Sequence, residues 1–491
     1  MSTGTETVGA RAAADASLGA DPTRSLWQRD AAFIDGSWRI AAQTDEIEDP
    51  ATRQAFGRSA RCDDGTVEAA VRAARTAFDP WAARDRPDRL AVLRRWQSEV
   101  ELRREMLVEA TVLEVGAPVD VAREAHVDLA LEIMRTTLDE LEGPEPVERI
   151  GNSIIVREPV GVVASITPWN YPFYQLVLKA VAAVAAGCTV VAKPAELTPL
   201  SAYLLADAAE AAQLPRGVFN LVPGRGDEVG ERLVTHPEVD LVSFTGSTAV
   251  GAHVAAAAAA TIKRVCLELG GKSASVVLDG ADLATAVRTT VDMAMLNSGQ
   301  TCSAWTRLLV PVARLEEAVE LAVEHTGALE VGDPTRPGVA LGPLASARQQ
   351  AQVEGMVARA RAGGARVLGA RPVPDRGYFH PPLIVTDVDE DDEIVRDEVF
   401  GPVLVVLGHG GDDDAARLAN DSDYGLAGAV WAADTETGVA FARRLRTGQV
   451  DVNGAAFNVH APFGGFKKSG YGRELGRYGL EEFTEIKSIQ V

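Results

Sequence analysis

Cysteine is scarce in this chain of 491 residues: only Cys62, Cys188, Cys266 and Cys302 occur, widely spaced and with no C-x-x-C pair. That disfavours a disulfide-stapled secreted domain, and the spacing excludes a zinc ribbon. Long apolar runs are missing too. The longest, Ala180 to Ala192, falls short of the roughly 20 residues that span a bilayer. Residues 1–25 lack the apolar stretch of a secretion signal and read as a loose tail. Basic residues number 48 against 70 acidic ones, a net charge of −22, so binding to a phosphate backbone is disfavoured. H-E-x-x-H, G-x-x-x-x-G-K-S/T and G-x-S-x-G are all absent, which removes support for a zinc protease, a P-loop NTPase and an α/β-hydrolase. The expectation is a soluble, cytoplasmic protein with neither nucleic acid nor membrane as a partner.

What is present is globular: 46% hydrophobic and 24% charged residues, enough chain for two to four domains. From Gly161 to Leu269, β-branched runs (161–166, 189–192, 218–222, 241–244, 264–269) alternate with Ala/Leu-rich segments of helical length (174–186, 199–212, 227–235, 248–259). Such βαβ repetition predicts a buried, doubly wound parallel sheet, whose ligands sit beyond the strands' carboxyl ends. A second α/β series begins near Gly271, with strands at 275–278, 307–310, 383–385, 403–407 and 428–431. Its helices are expected at 283–296, 315–329, 346–362 and 435–445. A helical stretch from Thr66 to Leu141 precedes both series and ends at Glu142-Gly143-Pro144. Two orphan strands, 149–157 and 483–491, should pair with each other or cross to another subunit. Asp387, Asp389, Asp391 and Glu398 imitate a calcium loop, but Asp392 occupies the position where the sharp turn wants Gly, so a solvated acidic loop is the better reading.

Several residues could carry chemistry. Cys302 sits in the polar turn Asn297-Ser298-Gly299-Gln300-Thr301-Cys302-Ser303, unlike the other three thiols, and is either a nucleophile or an ordinary half-buried cysteine. Glu268 ends an apolar strand, where a carboxylate is costly unless it is paired or lines a cleft. It is a candidate general base, or a surface partner for Lys272. Lysine occurs only seven times, so Lys193 at a strand's carboxyl end stands out. With Glu196 it could bind ribose hydroxyls, or form a solvated charge pair. Thr245-Gly246-Ser247 opens a helix where N–H groups could meet a pyrophosphate, although Ser247 could equally be a plain N-cap. Gly224, Gly226 and Gly230 have a spacing one residue longer than the dinucleotide fingerprint. Asn170, in Pro168-Trp169-Asn170-Tyr171-Pro172, is a candidate oxyanion donor.

In this order the segments resemble the aldehyde dehydrogenase superfamily, from Phe33-Ile34-Asp35-Gly36 to the end of the chain. The most specific matches are Pro168-Trp169-Asn170, Lys193-Pro194-Ala195-Glu196, Phe244-Thr245-Gly246-Ser247, Glu268-Leu269-Gly270-Gly271-Lys272, Gly299-Gln300-Thr301-Cys302, Glu398-Val399-Phe400-Gly401-Pro402 and Pro462-Phe463-Gly464-Gly465. The resemblance implies NAD(P)+-dependent oxidation of an aldehyde to an acid. Cys302 would be the nucleophile, Asn170 the oxyanion donor and Glu268 the base that hydrolyses the thioester. It implies a cofactor face built from Ile166, Thr167, Pro168, Trp169, Lys193, Ala195, Glu196, Gly226, Gly230, Phe244, Thr245, Gly246, Ser247, Leu269, Gly270, Glu398 and Phe400. NAD+ is expected over NADP+, because Glu196 would repel a 2′-phosphate; Lys193 keeps NADP+ possible.

Tyr171, Gln175, Leu178, Trp305 and Phe457 would face the substrate, an uncharged medium-chain or aromatic aldehyde. The implied architecture is a Rossmann-like cofactor domain (26–141 and 160–270), an α/β catalytic domain (271–470) and a β-strand oligomerisation element (142–159 and 471–491) of a homodimer or homotetramer. A relative that passes its acyl group to coenzyme A, and a non-catalytic protein of the same fold, are the rival readings.

Overall fold

The computed structural model describes residues 26–143 and 147–491; the expected tail over 1–25, and Pro144 of the expected break, lie outside the described residues. The five runs of the first series form the parallel centre of an eight-stranded sheet. Its spatial order is 470–471, 264–268, 241–245, 162–166, 189–193, 219–221, 31–34 and 37–40. Strands 470–471 and 31–34 join antiparallel at the two sides. Strands 162–166, 189–193 and 241–245 are buried along their whole length, as their unbroken apolar character requires. The parallel strands begin at 162–166 and build outward in one direction, and the chain then returns to lay 241–245 on the other side of 162–166. The loops leaving these two strands therefore diverge and open a crevice.

The second series forms a seven-stranded sheet in the order 366–368, 383–386, 403–409, 307–311, 274–277, 428–431 and 451–452, parallel except for 366–368. The two orphan strands do pair. Thr484–Gln490 runs antiparallel to Ser153–Pro159, which turns back onto Glu148–Ile150. This small sheet leaves Ile150 60% and Ile486 64% exposed.

The expected continuous helical stretch is broken into helices Asp64–Ala82, Arg86–Glu101 and Arg104–Val115, then a further set ending at Asp139. Asp63 caps the first, its carboxylate accepting from Thr66 N at 2.8 Å, and Gly116 in the left-handed region stops the third. A β-layer over 28–61 was not foreseen: strands such as Gln43–Asp49 are mostly exposed and polar, without apolar alternation. In the acidic loop, Asp387 pairs with Arg366 at 3.1 Å and Asp391 with Arg396 at 2.6 Å. Among the described residues no helix is long and apolar enough to cross a membrane.

Candidate active site

The crevice is a cleft of about 420 Å³ between the two large sheets. Its first wall comes from strand ends: Ile166 to Asn170 after 162–166, Lys193 to Leu197 after 189–193, Phe244 to Ser247 after 241–245, and Leu269-Gly270 after 264–268. Its second wall carries Cys302, Ser346, Arg348, Gln349, Gln352, Glu398 and Phe400. All the residues expected at the cofactor face line this cleft except Gly230, which is buried one turn inside its helix. Leu197, Val250 and the 346–352 segment line it too and were not anticipated.

Whether the cleft suits a dinucleotide can be tested on its backbone. A Cβ on Gly270 would collide with the Glu398 carboxylate, and one on Gly246 would collide with the Phe244 ring, so glycine at both places keeps the surface hollow. Ser247 caps the eleven-residue helix Thr248–Ala258, which presents its N-terminus at the opening. Thr167 and Thr245 hold buried hydroxyls without protein partners. Lys193 is buried, and its Nζ donates to Glu196 at 3.3 Å. Burial lowers the Lys193 pKa, with Glu196 opposing the shift. Glu398 accepts from Gly271 N at 3.0 Å; burial raises its pKa to about 7. Trp169 and Phe400 meet edge to face across the cleft at 5.4 Å. These features fit a ribose–pyrophosphate–ribose chain.

Cys302 reaches the cleft because the turn before it is forced. Asn297, Ser298 and Gly299 all have positive φ (53°, 56° and 74°), and a Cβ on Gly299 would strike the backbone of Gly401. Side chains pin the turn: Ser298 Oγ donates to Gly342 O at 2.9 Å, and Gln300 Oε1 accepts from Ala345 N at 2.9 Å. Asn170 Nδ2 donates to Gln300 O at 2.9 Å, which seats the carboxamide beside the thiol. Burial raises the Cys302 pKa, and the carboxyls of Glu268, Glu398 and Glu474 push it the same way.

Glu268 ends the strand 264–268 and is 3% exposed. It is not among the residues lining the cleft, and its Oε1 has no hydrogen-bond partner among the described residues. Burial raises its pKa well above the ordinary carboxyl range, as does nearby Glu474, against the pull of Lys179 and Arg473. Lys179 and Glu474 form a buried ion pair at 2.5 Å, and Lys179 also donates to Gln175 Oε1 at 3.1 Å. Neither member was anticipated, although a lysine inside an Ala/Val/Leu-rich helix is a readable oddity. Lys179→Met strands the Glu474 carboxyl in the interior and should cost about 3–5 kcal/mol, seen as a lower urea midpoint. An unchanged midpoint would contradict a structural pair.

The expected substrate residues divide. Tyr171 hydrogen-bonds Thr301 Oγ1 at 2.8 Å, next to the thiol. Leu178 belongs to the core cluster against which Cys302 packs. Phe457 stands at the surface, edge-on to buried Phe463 at 6.3 Å. Gln175 is occupied by Lys179. Trp305, two residues before strand 307–311, packs in the core of the second sheet against Trp431. Buried Tyr174, 6.0 Å from Tyr171 and within electrostatic reach of Cys302, was missed although it lies one helical turn on.

A thiol on this cleft, with an amide donor beside it and a buried carboxyl in electrostatic reach, fits an oxidoreductase that captures a carbonyl covalently. The chain belongs to the aldehyde dehydrogenase family, whose model matches residues 38–489. It is 45% identical over 464 residues to 3-succinoylsemialdehyde-pyridine dehydrogenase of a Pseudomonas species, covering 93% of this chain and 97% of that one. It is 40% identical to geranial dehydrogenase of Castellaniella defragrans, covering 93% and 98%. Among solved structures, aldehyde dehydrogenase C of Pseudomonas syringae, in complex with NAD+ and octanal, superposes with a TM-score of 0.92 at 42% identity, covering 96% of this chain and 97% of that one. A Mycobacterium tuberculosis aldehyde dehydrogenase with NAD+ gives 0.92 at 39%, covering 95% and 99%.

Proposed function

We propose that the protein oxidises an uncharged medium-chain or aromatic aldehyde to its carboxylic acid with NAD+, through a thioester on Cys302. The observation that carries this reading is the seating of Cys302 on the cleft wall within electrostatic reach of the buried Glu268 carboxyl. Cys302 adds to the aldehyde carbon as its thiolate, the thiol proton passing to water in the open cleft. The oxygen gains charge as the carbon becomes tetrahedral, and the Asn170 amide and the Cys302 N–H donate to it. Bound NAD+ supplies the acceptor for the hydride which that carbon must lose. The thioester left on Cys302 is attacked by water, whose proton Glu268 takes. The acid departs and the sulfur is restored. Lys193 and Glu196 hold the adenosine ribose, Ser247 and its helix N-terminus the pyrophosphate, and Glu398 the nicotinamide ribose.

The half-exposed Glu196 carboxylate disfavours a 2′-phosphate. Glu196→Gln should raise kcat/KM with NADP+ by about ten-fold in steady-state assays, and no change would remove Glu196 from this role. The aromatic and aliphatic side chains near the thiol (Tyr171, Tyr174, Leu178) support an apolar substrate, as do the relatives acting on geranial and binding octanal. Rates on octanal, benzaldehyde and succinic semialdehyde test this, with and without coenzyme A. Preference for the semialdehyde, or a requirement for coenzyme A, would overturn it.

The domain limits 26–141 with 160–270, 271–470 and 142–159 with 471–491 are part of the same reading, although strand 470–471 closes the first sheet. The small sheet with Ile150 and Ile486 bare is the proposed contact of a homodimer or homotetramer, tested by sedimentation; a monomer would contradict it.

A further inference from the structure

His126 is a buried imidazole that the reaction above leaves unused. It sits on the π-helical turn Ala122–Asp128 with no exposed surface, and neither ring nitrogen has a hydrogen-bond partner of good geometry. A titratable ring kept in the interior at that cost needs a reason. Two contacts supply one. The ring stacks on Tyr171 with centroids 4.1 Å apart and planes 17° apart. The Asn297 carboxamide lies against it, and the Asn297 oxygen likewise has no other partner. Burial lowers the His126 pKa to about 3, so the ring is neutral and carries one N–H to offer that oxygen.

Both neighbours lead to the reacting centre. Asn297 Nδ2 donates to Asn170 O at 2.9 Å, and the Tyr171 hydroxyl meets Thr301 Oγ1 at 2.8 Å, one residue before Cys302. Asn297 also holds a left-handed backbone conformation, φ 53°, that its surroundings must impose. We propose that His126 is a positioning residue: through Asn297 it holds the Asn170 loop and through Tyr171 the Thr301–Cys302 turn, so that the Asn170 amide and the Cys302 N–H address one oxygen. This rests on the oxyanion roles proposed above. Positioning of this kind is worth much rate for little binding energy, since misplacement by about 1 Å can cost about a hundred-fold.

His126→Phe keeps the ring and the stack and removes both nitrogens. With octanal, kcat should fall on the order of ten- to a hundred-fold while NAD+ affinity, read by fluorescence quenching, stays unchanged. Acylation of Cys302 by p-nitrophenyl acetate passes through the same charged oxygen and should fall by a similar factor. Alkylation by iodoacetamide, which develops no such charge, should not change. His126→Gln, which restores an N–H donor, should recover part of the loss. The His126→Phe, Asn297→Ala double variant should be no slower than the slower single one. Parental kcat in His126→Phe, or equal losses in acylation and alkylation, would overturn the proposal. Failure of the underlying reading looks different: the parent protein itself would then neither oxidise octanal nor be acylated by the ester.

Discussion

Cys302→Ala should leave no measurable oxidation of octanal, a loss on the order of 10⁴-fold or more. The side chain removed is small and half-buried at the cleft wall, so the core around it loses little. NAD+ should bind as in the parent, because none of the groups assigned to the cofactor is touched. The other three thiols cannot substitute. Cys62, Cys188 and Cys266 are buried and none of them lines the cleft. Activity in Cys302→Ala above a hundredth of the parental rate, roughly the contribution of a single acid–base group, would mean that another nucleophile or none is used.

Glu268→Gln separates the two halves of the reaction. The amide keeps the shape and cannot take a proton from water, so steady-state kcat should fall by about 10²- to 10⁴-fold. The first turnover should survive as a burst of NADH, because sulfur attack and hydride loss do not require a base for water. The pH dependence has a definite sign. Burial and Glu474 raise the Glu268 pKa, so the carboxyl is protonated and idle at low pH and becomes a base as pH rises. The hydrolytic rate of the parent should climb with pH through that ionisation, and the climb should be absent in Glu268→Gln. A variant with neither burst nor steady-state turnover would place Glu268 in the first half instead.

Much of this was readable before any coordinates, for physical reasons. The parallel sheet announced itself through runs such as Val162–Ile166 and Thr189–Lys193, apolar on both faces, and a doubly wound sheet puts its ligands at known strand ends. The residues at those ends, Asn170, Lys193, Gly246 and Gly270, were therefore locatable from spacing and now lie on one cleft with Cys302. Less legible was whatever depends on long-range approach. Lys179 and Glu474 meet across 295 positions, and nothing local in Glu474 marks it as a partner. Strands Gln43–Asp49 and Gln54–Arg61 are partly exposed and largely polar, so periodicity has little to detect. Trp305 shows the limit of proximity in sequence: three residues beyond the thiol and two before strand 307–311, its side chain packs in that sheet's core. His126 was invisible as a partner because its value lies in what two distant loops bring to it.

The most direct measurement is the intact mass and peptide map of Glu268→Gln quenched in acid after mixing with octanal and NAD+. The account predicts one octanoyl group per chain, on the peptide containing Cys302, formed in proportion to the NADH released. NADH produced with that peptide unmodified, or the acyl group found on any other residue, would contradict it.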